Sequence, residues 1–548
     1  MELYHPSNST DEWPAQRSRN HHLQWGRANT IVKEQNLNQK IIHQYFQKIS
    51  FYEALRAKSE EKIKHTTFGL KKKTLYLLSI AIIIILLTSV FAIVISANPN
   101  SRIDTSNYVE PEITDSPTEQ PTPTNKPTPN ATKKPTTTST PGSDPVPYNP
   151  LPPIVEYPTT TTGIIESNSV MDSAVWRDVA RQAWRYFEPG TGVDSNTGLP
   201  GAVASWPYFT IWDLGVYVQA VIDAQKLGLI SKEGDWGADY RFDKVLTFLE
   251  TCPLNPYFYP FWFYQATDGQ CFPDLSNSAK TTYDLVDIGK LLVSLSNVKR
   301  FSPEFTSRID DIVLRGRSDY AALLPDVQNE FNETNFYAYL LTTGFAAFWP
   351  NEVGHIPKQI LMTNIPNSGV ISVNAEFGGN VTIPQSRISG EALLHSVLDL
   401  EIADSEERSC LLNVAKQVYL AHEEYHNLTN RWVAFSEGGG GGSLFVYEWV
   451  YLPGFGSWKV TSIDRTEIVS INPIIYSKVA LTFMAMYNTT YARDLCIYLE
   501  KSLPPPNNGW SEGADFTTEM ENRNIVTNVS CNTNGMILAA SRYYIQSH

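Results

Sequence analysis

From Ser173 onward, apolar residues recur at helical spacing in one segment after another, with polar loops between them. In AVWRDVARQAWRYF, Trp176, Val179, Ala183 and Phe187 share one helical face. IWDLGVYVQAVIDAQKLGLI, VDIGKLLVSLSNVKRF, NFYAYLLTTGFAAFW, GEALLHSVLDLEI, ERSCLLNVAKQVYLAHEEY, YSKVALTFMAMY and NTNGMILAASRYY behave similarly. Several are apolar nearly all round, which predicts inner helices, whereas FTSRIDDIVLRGR has one wet face and predicts an outer one. Strand-like alternation is sparse, mainly in WVAFSEGGGGGSLFVYEWVYL and GVISVNAEFGGNVTI. The expected fold is mainly α, an (α/α) barrel formed as a toroid of helical hairpins over residues 166–548. An open helical solenoid is the alternative.

The upstream part is built differently. Thr74 to Ala97 has no charged residue, and such a run forms a helix of roughly 36 Å, enough to cross a ~30 Å hydrocarbon core. Lys71-Lys72-Lys73 abuts its N-terminal side, and acidic residues dominate the other. The positive-inside rule therefore predicts a single-pass type II protein of the plasma membrane. Residues 1–73 form a cytoplasmic tail, 74–97 the membrane helix, and the large domain is extracellular. Residues 98–165 are rich in Pro, Thr and Ser, which predicts a disordered, extended stalk. Residues 1–73 hold 13 Lys+Arg against 7 Asp+Glu, so the net charge of −14 leaves −20 for the remainder. That acidity argues against nucleic acid as a partner. All five cysteines follow residue 97; an odd number leaves at least one unpaired, and Cys252 and Cys271 are spaced to close a loop.

A series of motifs runs in order through the globular part: TGLP, WPYFTIWDLGVYVQAVIDAQKLGLIS, YDLVDIGKLLVSL, RISGEALLHSVLDLE, RWVAFSEG, YSKVALTFMAMY, GWSEG and VSCNTNGMILAASRYY. This series resembles the DUF3131 family of bacterial envelope proteins, which is similar to the glucoamylase-like (α/α)-barrel glycosidases. The resemblance spans roughly residues 172–545. It implies a barrel acting on, or binding, a poly- or oligosaccharide. The sequence departs from the family pattern at Lys290, where Arg is more frequent, and at Phe516 and Ala539, where acidic residues are.

Glycoside hydrolysis needs a protonated carboxyl to donate to the leaving oxygen and a second carboxylate to activate water or attack. The candidate catalytic residues are Glu512, Glu391, Asp213, Asp287 and Glu437. Each also admits a structural role. Asp213 suits a helix cap, Glu391 a first-turn acid favoured by the helix dipole, and Asp287 a pair with Lys290. Glu437 precedes five glycines, consistent with a mobile lid or a surface turn. Glu512 lies in NGWSEGADF beside Trp510, after three prolines. Aromatic platforms for sugar C–H faces are expected among Trp206, Trp212, Trp262 and Trp510, although most rings in such a chain pack in the core.

One motif points elsewhere. His422-Glu423-Glu424-Tyr425-His426 matches H-E-x-x-H, which would place two imidazoles on a zinc ion, with Glu423 as base and Glu448 as third ligand. The charge on Glu424 and the helix-ending Asn427-Leu428-Thr429-Asn430 weigh against this metallopeptidase reading. No nucleotide-binding glycine loop occurs. The expectation is an enzyme without metal or cofactor, acting through acid/base carboxylates. A non-catalytic glycan-binding or envelope-organising module is the alternative.

Overall fold

The computed structural model describes residues 163–204, 206–272, 283–440, 445–462, 465–468, 471–504, 507–516 and 524–548. The tail, the apolar run at 74–97 and nearly all of the 98–165 linker lie outside them. Among the described residues no helix is long and apolar enough to cross a membrane.

The chain alternates outer and inner helices. Outer α1 (Ser173–Trp184) leads to inner α2 (Ile211–Lys226), and outer α3 (Ala238–Thr251) to inner α4 (Leu285–Phe301). Outer α5 (Thr306–Arg315) leads to inner α6 (Phe336–Ala346), and a run of short helical turns over 350–367 precedes inner α7 (Gly390–Asp399). Outer α8 (Ser405–Thr429) and inner α9 (Ser477–Tyr487) follow, then outer α10 (Thr490–Ser502) and inner α11 (Cys531–Ser547). The inner helices pack in sequence from α2 through α11, and α11 packs back on α2 and on α1. This closure makes the fold an (α/α) barrel and removes the open solenoid. Burial follows the sequence pattern. All ten residues of α7 are buried, whereas α5 buries only Ile309, Ile312 and Val313.

Glycines let the ring close tightly. A Cβ on Gly344 of α6 would lie 2.0 Å from the Gly289 carbonyl oxygen of α4, and one on Gly289 would lie 2.5 Å from the Leu341 Cα. Neither backbone can yield without moving a helix. Gly344→Ala is therefore expected to cost about 1–3 kcal/mol, read as a lower Tm.

Short strands sit where the chain enters the inner helices. β1 (Tyr208–Thr210) pairs antiparallel with β2 (Phe263–Gln265) and runs straight into α2. β3 (Val370–Ser372) pairs with β4 (Thr382–Pro384). β5 (Glu437–Gly439), β6 (Phe445–Leu452) and β7 (Gly456–Thr461) form one sheet. β8 (Ile474–Tyr476) leads directly into α9, and β10 (Ile525–Val529) ends one residue before α11. Both flank β9 (Ser511–Asp515) in a third sheet. All five cysteines are free thiols, so Cys252 and Cys271 do not close a loop.

Candidate functional site

The first turns of the inner helices gather at one end of the ring, and hydrogen bonds link them. Side-chain caps begin most of them: Thr210 and Asp213 form a reciprocal box on α2, Asp284 caps α4, Asn335 α6, Ser389 α7 and Ser530 α11. Asp287 Oδ2 accepts from the Trp212 backbone N–H of α2 and from Trp262 Nε1, both at 3.1 Å. Tyr337, in the first turn of α6, donates its hydroxyl to Glu437 Oε2 at 2.6 Å and lies 3.4 Å from the Ser389 hydroxyl before α7. Lys478 in the first turn of α9 pairs with Glu391 Oε2 at 2.5 Å and donates to the Glu437 carbonyl at 2.8 Å. Asn532 in the first turn of α11 donates to Glu391 Oε1. The Cys531 thiol donates to the Asp213 carbonyl at 3.4 Å, which joins α11 to α2.

The structure brings all five candidate carboxylates to this mouth. Asp287 feels the negative charges of Asp284, Asp213 and Glu437, while Asp213, Glu437 and Glu512 each feel that of Glu391. All five side chains are enclosed, none more than a tenth exposed. Glu437 and Glu512 stand on strands β5 and β9 rather than in loose glycine turns. The Glu512 Oε2 accepts the Gly439 N–H at 2.8 Å, and a Cβ on Gly439 would lie 2.7 Å from that oxygen. A side chain there would therefore break the contact. Asp287 is not the partner of Lys290. That ammonium lies 3.1 Å from Asp399, with both groups fully buried.

Crowding splits the carboxyls by protonation state. Burial pushes Glu437 up, the Glu391 charge adds to this, and its carboxyl reaches about 8. Burial also raises Asp213, but the backbone and hydroxyl donors of Thr210 hold it to about 6. Asp287 rises well above the carboxylate range, through burial and then Asp284. Burial raises Glu512 as well, with Lys478 opposing. For Glu391, burial is overcome by Lys478 and His395, so it falls well below the ordinary value.

Aromatic rings lie beside these groups. Tyr337 lies 6.4 Å from both Trp212 and Trp449, and Trp449 stacks on Tyr447 at 5.7 Å and 11°. Trp262 contacts Phe263 at 4.8 Å, and Trp206 contacts Tyr208 at 5.1 Å. Trp510 is placed elsewhere. It is buried in the core, with its indole N–H bonded to the Val179 carbonyl of outer helix α1 at 3.1 Å.

A family model described as "Protein of unknown function (DUF3131)" matches residues 178–327 and 382–547, together more than half of the chain. The chain belongs to the DUF3131 family. The matched segments carry Asp213, Asp287, Glu391, Glu437 and Glu512, whereas Tyr337 falls in the gap between them. No curated protein matches this DUF3131 chain. Among solved structures it is similar to a β-1,2-glucanase from Parabacteroides distasonis, with TM-score 0.47, 11% identity and coverage of 69% of this chain and 57% of that one. The chain thus spans little more than half of that protein. It is also similar to a putative glucoamylase from Bacteroides fragilis NCTC 9343, with TM-score 0.47, 15% identity and coverage of 70% and 96%. A third is the endo-β-1,2-glucanase of Chitinophaga pinensis, described as a complex with sophorotriose and glucose, with TM-score 0.46, 13% identity and coverage of 68% and 93%.

Several groups of the DUF3131 mouth are not among the residues that the sequence singles out. Tyr337, Lys478, His395, Asp284, Tyr447 and Asn532 are all in or beside it. Two left a signal. Lys478 is a single cation at the start of an otherwise apolar helix. Glu391, His395 and Asp399 repeat every four residues, which places them on one face of α7.

The H-E-x-x-H stretch does not form a zinc site. His422 is buried, its Nδ1 lies 2.7 Å from the Val418 carbonyl, and its Nε2 accepts the Phe435 N–H at 3.2 Å. Both ring nitrogens are thus spent on backbone. His426 stacks on Trp432 at 3.7 Å instead of turning toward His422. Glu448 accepts the Ile474 N–H at 2.5 Å. Helix α8 then ends as Asn430 turns left-handed with φ 55°. Among the described residues no group of three or more His, Cys, Asp or Glu is arranged to hold a metal ion.

Proposed function

We propose that this DUF3131 protein is a membrane-anchored glycoside hydrolase-like enzyme acting on an extracellular or envelope glycan. The observation that carries the reading is Glu437. It is a carboxyl held protonated at neutral pH, at the mouth of a helical ring, beside an ionised carboxylate and under the Tyr337 hydroxyl, whose ring contacts Trp449. Glu437 is the general acid that protonates the departing glycosidic oxygen. Asp213, ionised above about 6, is the base that draws a proton from the attacking water. One of its oxygens is held by Thr210 N and Oγ1 at 2.9 and 3.0 Å. Asp287, neutral and tied to Trp262, hydrogen-bonds sugar hydroxyls, and the rings of Trp212, Trp262 and Trp206 lie along the sugar faces.

The uncharged run at 74–97 anchors the chain in the plasma membrane, with the C-terminal domain on the extracellular side. Incubating the full-length chain with a panel of α- and β-glucans and envelope polysaccharides is expected to release new reducing ends. The rate should follow a bell-shaped pH profile, falling below about 6 as Asp213 takes up its proton and above about 8 as Glu437 loses its own. Tight binding to a glycan with no release from any of them would instead favour a non-catalytic glycan-binding module.

A further inference from the structure

Glu391 is more completely enclosed than any other candidate carboxylate at the mouth, and protein donors already occupy its oxygens. Its Oε2 takes the Ser436 hydroxyl at 2.8 Å and the Lys478 ammonium at 2.5 Å. Its Oε1 takes Asn532 Nδ2 and faces His395 Nε2 at 3.6 Å. Behind it, His395 Nδ1 meets Asp399 Oδ2 at 2.7 Å, and the same oxygen lies 3.1 Å from Lys290.

The hydrogen bonds settle the state of His395. Asn532 gives its N–H to Glu391, so its Oδ1, 3.1 Å from His395 Nε2, accepts a proton from the ring. The other ring nitrogen faces the Asp399 carboxylate, so it also donates, and the ring is an imidazolium. The row Lys478, Glu391, His395, Asp399, Lys290 therefore alternates in sign across the floor of the ring, with every member buried. Each charge lies between opposite ones, which is what allows so many to stay ionised out of water.

We propose that Glu391 is a positioning residue rather than a catalytic one: a fixed anion, clamped by Lys478, His395, Ser436 and Asn532, that keeps the proton on Glu437. Lys478 touches both residues, and Ser436, next to Glu437 in the chain, donates to Glu391; in one buried site two neighbouring carboxyls resist ionising together, and the one with more donors keeps the charge. Glu391 has three such donors, Lys478, Ser436 and Asn532, with the His395 charge beside them. The Glu437 carboxyl has the Tyr337 hydroxyl. The other titratable groups around Glu437 are His395 from α7, Lys478 from α9, Asp287 from α4, Tyr447 from β6 and Tyr476 from β8. Glu391 thus acts on any substrate only through Glu437, and this inference rests on the reading of Glu437 as the acid.

The test needs no substrate. Infrared titration of the full-length chain follows the protonated carboxyl band of Glu437, assigned by its loss in Glu437→Gln. In Glu391→Gln the midpoint is expected to fall by about 1–2 pH units. In His395→Gln, which removes a nearby cation while keeping hydrogen-bonding capacity, it is expected to rise. Mere loosening of the site would move both midpoints down toward the ordinary carboxylate value. An unchanged midpoint in Glu391→Gln, or a fall in His395→Gln, overturns the proposal. If Glu391→Gln does not fold, Lys478→Met/Glu391→Gln compared with Lys478→Met decides: the Glu437 midpoint is expected to be lower in the double variant, and equal midpoints overturn the proposal. Shifts of the expected signs in a protein that cleaves no glycan would retire Glu437 as a catalyst and leave this proton arrangement standing.

Discussion

Replacing Glu437 with Gln is expected to cut turnover of a cleaved glycan by about 10²–10⁴-fold, the usual worth of a general acid, while making the protein more stable in alkaline solution. Both effects come from one proton. The amide has the size of the protonated carboxyl and can still meet the Tyr337 hydroxyl, so binding should change little, but it has no proton to give. The sign of the stability effect follows from linkage. Folding raises this carboxyl from its ordinary 4.5 to about 8, so across that window the folded state binds a proton that the unfolded state has released. Stability contributed by Glu437 is therefore fully present below the unfolded value and is lost as pH rises toward 8. Above about 8 the loss is complete and amounts to a few kcal/mol as an order of magnitude. Gln does not titrate and escapes it. Thermal melts of both proteins at pH 5 and pH 9 check this: the difference in Tm should open in favour of Glu437→Gln at the higher pH. Equal turnover in the two proteins would remove Glu437 as the acid, whatever the melts show.

The second large effect concerns the floor of the ring. Lys478→Met is expected to destabilise the chain by about 3–5 kcal/mol, because it leaves the buried Glu391 carboxylate facing an apolar side chain. Adding Glu391→Gln should recover most of that loss, since an amide has no charge to strand. Denaturant unfolding of the single and double variants gives the coupling directly. If the double variant is no more stable than Lys478→Met, the pair is not the buried charge couple described above.

The fold was largely legible because burial on a ring of helices is a strong and repeated signal. An inner helix such as GEALLHSVLD is apolar on nearly every side, and an outer one such as TSRIDDIVLR shows a stripe. Ring closure was not written in any single segment. It depends on α11 reaching α2 and α1, and on glycines such as Gly344 whose purpose shows only when the facing carbonyl is known. At the mouth, the acids were visible, since Asp213, Glu391, Glu437 and Glu512 stand beside Trp, Gly or Ser and Asp287 interrupts an apolar helix. Their partners were not. Tyr337 looks like one aromatic among many until its hydroxyl is seen on Glu437. Trp510 misled for the opposite reason. Sitting two residues from Glu512, it suggested a platform beside an acid, but chain neighbours need not point to the same place, and its indole turns into the core. The H-E-x-x-H stretch shows the same limit. Its spacing is right for a metal, yet His422 is consumed by the backbone of its own surroundings.

The closed ring has a consequence for how the molecule comes into being. Its seam joins parts of the chain that are remote from one another: the Tyr544 hydroxyl is bonded to the Met171 carbonyl at 2.9 Å, and Cys531 to Asp213 at 3.4 Å. Contacts of such separation form late and slowly, because a long loop must close before any of them forms. Until the seam shuts, Glu391 lacks Asn532 and the apolar sides of the inner helices face water. A newly made chain therefore passes through a period in which it is prone to stick to its neighbours, and its yield depends on the speed of that last closure.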